Sequence, residues 1–129
     1  MGANDILLFS NFKTLQKNLI TFLQKANKLT DHIILCHSVN IGNTGFFLFP
    51  FDYLFDYRTK QLSTVYSKIK KHFPSVTYVN FYRTRKNDYY DRSTRKKFLA
   101  SDGAHPNDYA NRFFFNLISE EIIKKDKSV

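Results

Sequence analysis

The sequence holds a single cysteine, Cys36, so no disulfide can close within the chain and no pair of thiols is spaced to grip a metal. Cys36 lies in an apolar run, where a buried, inert thiol is expected. Long hydrophobic runs are missing too. The richest stretch, Phe46 to Phe55, is broken by Pro50 and Asp52 and falls well short of the ~20 apolar residues that cross a bilayer, so no transmembrane segment is expected. Met1-Gly2-Ala3-Asn4-Asp5 shows no basic region leading into an apolar one. No signal peptide is therefore legible, and the compartment stays open. Acidic residues are scarce: 11 Asp and Glu stand against 20 Lys and Arg, a formal charge of +9.

The excess cations gather at Arg83–Lys86, Arg92–Lys97 and Lys124–Lys127. Such patches attract phosphate backbones or anionic surfaces. No nucleic-acid-binding motif accompanies them, so the charge reads as a solvated, lysine-rich surface and no specific nucleic-acid partner is expected. What the chain does have is apolar material. With 43% hydrophobic and 17% aromatic residues over 129 positions, it can form one domain with a real core. Disorder is expected only at the termini and in one basic loop.

Apolar residues at Phe12, Leu15, Leu19, Phe22, Leu23 and Ala26 step by threes and fours and predict a helix over 12–29. Ile33–Val39 is compact, apolar and β-branched, and reads as a strand covered on both faces of a parallel sheet. Gly42 and Gly45 break the chain after it. Leu62, Val65, Tyr66, Ile69 and Phe73 mark a second helix that Pro74 stops. Val76–Tyr82 reads as a second strand, and Arg83–Leu99 as an aperiodic basic loop. A last helix is expected from about Pro106, with a stripe of Tyr109, Phe113, Leu117, Ile118 and Ile122. Helix and strand alternate as in an α/β protein with a parallel sheet. Two strands make a poor sheet, so the expectation is that strands are missing before Met1 and that 1–129 is one partial domain.

The chemistry concentrates in Ser101-Asp102-Gly103-Ala104-His105-Pro106-Asn107. Across a tight loop, the Asp102 carboxylate can accept from one ring nitrogen of His105, fixing the tautomer and leaving the other nitrogen as a general base. An ordinary helix cap with a surface histidine would use the same residues. The loop follows the last strand, on the rim where open α/β sheets bind ligands. Asp-Gly-x-His-Pro-Asn before a final amphipathic helix, together with Gly2-Ala3-Asn4-Asp5 at the other end, resembles the last and third conserved blocks of the SGNH/GDSL hydrolases.

That resemblance covers the chain from its third block to the terminal helix. It implies a flavodoxin-like three-layer α/β/α fold with a parallel sheet, incomplete here, and hydrolysis of a small-molecule carboxylic ester through an acyl-enzyme. It gives His105 the role of base, Asp102 that of its orienting partner, and Asn4 that of an oxyanion donor. It calls for no cofactor and no metal. The family's Gly-Asp-Ser block is absent, and no Gly-x-Ser-x-Gly occurs. Ser38 ends a strand on the right rim but lacks a sharp glycine-lined turn, and His37 reads as a packed or rim histidine. By itself the chain is expected to be nearly inactive.

Phe46, Phe47 and Phe49, with Phe51 and Tyr53 after them, belong to an aromatic loop from Ile41 to Phe55 that would line an acyl pocket, roof the core or meet a partner protein. Two other classes of function stay open: a non-catalytic module that docks to another protein, and a basic-surface binder. A salt titration of DNA binding separates the last one. A flat or undetectable response is expected, whereas a steep log–log slope would mark a genuine set of phosphate contacts.

Overall fold

A computed structural model describes residues 2–103 and 105–126, so Ala104 of the Asp–His loop and Lys127 of the terminal basic cluster lie outside the described residues. It is a mixed α/β structure. The order is α1 (Ala3–Leu7), α2 (Phe12–Ala26), β1 (Ile33–His37), α3 (Phe51–Lys70), β2 (Val76–Asn80), α4 (Arg95–Phe98) and α5 (Asp108–Asp126), with short 3-10 turns at Ile41–Asn43 and Arg85–Asn87. Among the described residues the sheet has two strands, β1 and β2, paired in parallel with Ile33 opposite Val76 and His37 opposite Asn80.

Strand alternation sorts the side chains between two layers. Ile33, Leu35, Val76 and Tyr78 face α2 and α3 and join a core with Leu19, Leu23, Leu62, Tyr66 and Ile69. Full burial of each leucine or isoleucine there contributes roughly 1.5–3 kcal/mol. On the opposite face α5 packs on β2, and Phe114 lies 4.9 Å from Phe81, centroid to centroid. Beneath α5 a smaller cluster gathers Tyr90, Phe98 and Ala110.

Several expectations are corrected. Ile33–Val39 is not covered on both faces: the strand stops at His37, and Ile34 is 47% exposed because α5 sits over β2. Phe22 is exposed, since at about 100° per residue it falls at the edge of the α2 arc centred on Leu19. Asn11 caps that helix by accepting from the amides of Lys13 and Thr14. The helix expected from Leu62 begins at Phe51, so Phe51 and Tyr53 are helical residues and not part of a loop. Its buried stripe includes Asp52, Thr59 and Ser63, which hide the pattern. Each has a polar partner: Arg85 for Asp52, the Phe55 carbonyl for Thr59 and the Asn80 amide for Ser63.

The segment 83–99 is likewise more than a solvated basic loop. Tyr90, Phe98 and Leu99 are buried in it, and Tyr90 stacks on Phe98 at 5.1 Å. Pro106 does not open α5; it pairs with Leu99 in an antiparallel bridge, and the helix starts at Asp108.

The turn after β1 lies hard against α3. A Cβ on Gly42 would stand 2.0 Å from the Asp52 carbonyl oxygen and 2.4 Å from the Asp56 nitrogen. Both obstacles are helix backbone, which cannot swing aside. Gly42→Ala is expected to cost about 3 kcal/mol in urea unfolding. A loss below about 1 kcal/mol would mean that the turn lifts from the helix without penalty.

Candidate functional site

Loop 99–107 is closed at its base by backbone hydrogen bonds. The Ala100 amide donates to the His105 carbonyl at 2.8 Å, and the Asn107 amide to the Phe98 carbonyl at 2.9 Å. Asn107 then anchors the start of α5, its Oδ1 accepting from the Ala110 amide and its Nδ2 donating to the Lys97 carbonyl. Gly103 turns the loop with φ +71°, a left-handed conformation that costs a side-chain-bearing residue roughly 1–2 kcal/mol. The turn brings Asp102 back onto His105. One carboxylate oxygen accepts from the His105 backbone amide at 3.0 Å, and the other lies 2.6 Å from ring Nδ1.

A carboxylate can only accept, so neutral His105 carries its proton on Nδ1 and a lone pair on Nε2. Nε2 has no hydrogen-bond partner among the described residues. The imidazole is 80% exposed and the carboxylate 51%. In that much water the pair adds little stability. What it fixes is orientation.

Two loops wall a cleft of about 570 Å³ beside this pair, lined among others by Phe46, Arg95, Lys96, Leu99, Asp102 and Gly103. The turn after β1 and the segment after β2 are sewn together to form it. Arg95 Nη1 donates to the Gly45 carbonyl at 2.7 Å, and Asn43 Nδ2 donates to Asp88 at 2.9 Å and to the Tyr90 carbonyl at 3.0 Å. Deeper in, Asp56 accepts from Asn40 Nδ2 at 2.8 Å and pairs with Arg85 at 3.2 Å.

The three aromatic candidates part company. Phe46 lines the cleft. Phe47 packs inward on Phe55, 4.3 Å between centroids, and Phe49 is 78% exposed beside Tyr53. Asn4 is exposed on the short helix α1, and its side chain makes no hydrogen bond among the described residues. Gly2 lies against Ser38, which directly follows β1, so the Asn4 helix starts at the same end of the sheet as the cleft. No serine hydroxyl among the described residues bonds to the His105 ring. Nor do the described residues hold a group of three His, Cys, Asp or Glu placed for a metal, and no described helix is long and apolar enough to cross a membrane.

Four polar atoms are buried without hydrogen-bond partners among the described residues, a property the sequence did not reveal: His37 Nε2, Ser38 Oγ, Asn40 Oδ1 and the Tyr66 hydroxyl. His37 Nδ1 donates to the Ser38 carbonyl at 2.7 Å, and its ring stands edge-on to Tyr66. Burial pulls the imidazole down to about 4, the Ser38 bond opposing the fall, and the same burial pushes the Tyr66 hydroxyl up.

No protein-family model matches the chain, and neither a curated protein nor a solved structure matches it.

One buried and one partly buried group give opposite pH dependence. His37 titrates near 6.5 when exposed and about 4 when folded, so the unfolded chain binds more protons between those values and stability rises with pH there. Asp88 is raised from 3.8 to about 6, chiefly by burial and against the Asn43 hydrogen bond, so stability falls as pH rises through that window. Asp88→Asn removes the falling contribution alone. Unfolding free energies from urea titrations between pH 4 and 6 should then climb more steeply than in the wild type, by about 1 kcal/mol, because solvent partly screens the incompletely buried carboxylate. Identical slopes would contradict this assignment.

Proposed function

We propose that the chain supplies the base, its orienting carboxylate and an oxyanion donor to a serine ester hydrolase site of the SGNH type. In that reading the β1–α3–β2 unit, with α5 on its other face, is the later part of a flavodoxin-like three-layer sheet. The observation that carries the proposal is the Asp102–His105 pair, 2.6 Å from Oδ2 to Nδ1, beside a cleft at the end of the sheet where β1 finishes. Its hydrogen bonding suits proton transfer: Asp102 holds the Nδ1–H tautomer, and Nε2 is left to take a proton from a serine hydroxyl and return it to the leaving alcohol. Asn4, exposed on α1 at that end, would donate its amide to the tetrahedral oxyanion.

The nucleophile would come from a Gly-Asp-Ser segment seated over the loop, in the same polypeptide or in another. Such a segment would also remove water from His105, whose 80% exposure suits a half-site better than a finished one. The chain by itself should show only residual turnover. With that segment supplied in cis or in trans, p-nitrophenyl acetate and butyrate should be hydrolysed. His105→Ala should then lower kcat by about 10²–10⁴-fold, and Asn4→Ala by about 10²-fold. Full turnover in the His105→Ala variant would refute the role given to this imidazole.

A further inference from the structure

We infer that the cleft beside His105 takes an ester bearing an anionic group, a choice of substrate class that rests on the hydrolase reading above. Its volume, about 570 Å³, is ample for a small organic acid ester. Its wall carries two cations, Arg95 and Lys96, and among the described residues neither is paired with a carboxylate. Arg95 is fixed in place by its Nη1 bond to the Gly45 carbonyl, and the rest of its guanidinium fork has no partner among the described residues. A preset fork of this kind matches a carboxylate or phosphate in geometry as well as charge. Lys96, exposed, adds a second charge on the neighbouring position of α4.

Among the described residues the one carboxylate in the cleft wall is Asp102, and it is engaged by the amide and ring of His105. Nearby, Arg85 is neutralised by Asp52 and Asp56, whereas Arg92, beside Gly45, has no carboxylate partner among the described residues and adds to the positive field around the cleft. Against the single negative charge of Asp102, Arg95 and Lys96 leave the described cleft wall with a net positive charge. Phe46 gives the cleft one apolar wall, so the fitting ligand is an ester with a short apolar body and a charged end.

The test is an NMR titration of the chain as it stands with monomethyl glutarate and with its neutral dimethyl ester. Amide signals of Ala100–Gly103 and the His105 ring signals report the site. The monoester is expected to bind about ten-fold more tightly or better. Lys96→Gln should weaken it several-fold without disturbing the fold, and Arg95→Gln should do so at least as much. Raising the salt from low to physiological should weaken the monoester and leave the diester unchanged. Equal affinity for the two esters, with shifts at His105, overturns the anion preference and leaves the hydrolase reading standing. Monoester binding that depends on Lys96 but never perturbs His105 keeps the anion site and removes the hydrolase reading from this cleft. Failure of both esters to perturb loop 99–103 overturns the inference outright.

Discussion

Arg85 lies between Asp52 and Asp56, 3.2 Å from a carboxylate oxygen of each, with its guanidinium 4.2 Å above the Tyr53 ring. These groups belong to two different parts of the chain, the first turns of α3 and the segment after β2. Asn40, from the turn after β1, joins the same cluster through Asp56. The carboxylates are mostly shielded from water, so each needs the cation: without it, two like charges would share one poorly solvated site. The ends of both strands are therefore tied to the start of one helix, and every loop at that end takes its position from this knot.

From it the geometry of the cleft follows. With the turn after β1 pressed on α3 by Gly42, residues 43–46 are presented to the segment after β2, and the Asn43–Asp88 and Arg95–Gly45 bonds close the seam. Phe98 and Tyr90, buried beneath α5, hold α4 from below. Loop 99–107 then has both ends pinned, and Gly103 lets Asp102 fold back onto His105. The imidazole is positioned by covalent and hydrogen-bond constraints and not by burial. That is why so exposed a pair can still be well oriented.

The two strands, the α/β rhythm and the Asp102–His105 loop were legible in the sequence, because each rests on local information: β-branched runs, alternating periodicity, and an Asp, a Gly and a His within four positions. The first half of α3 was not, since Asp52, Thr59 and Ser63 occupy its buried stripe and are rescued only by partners far along the chain. Segment 83–99 hides its structure for the same reason. Its arginines look like solvated charge until Asp52, Asp56 and the Gly45 carbonyl are brought to them. The separation of Phe46 from Phe47 and Phe49 was equally beyond local pattern, because three neighbouring aromatics differ only in which way the turn aims them. The orphaned atoms of His37, Ser38, Asn40 and Tyr66 were equally hidden, because packing and not residue type decides whether a buried polar atom finds a partner.

Everything proposed about chemistry depends on which nitrogen of His105 carries its proton. Long-range nitrogen–proton NMR correlation, recorded on the neutral imidazole, reads this directly. The Nδ1–H tautomer with an unprotonated Nε2 is expected, and that preference should be lost in Asp102→Asn. A dominant Nε2–H tautomer in the wild-type chain would contradict it, because no lone pair would then be available to receive a serine proton.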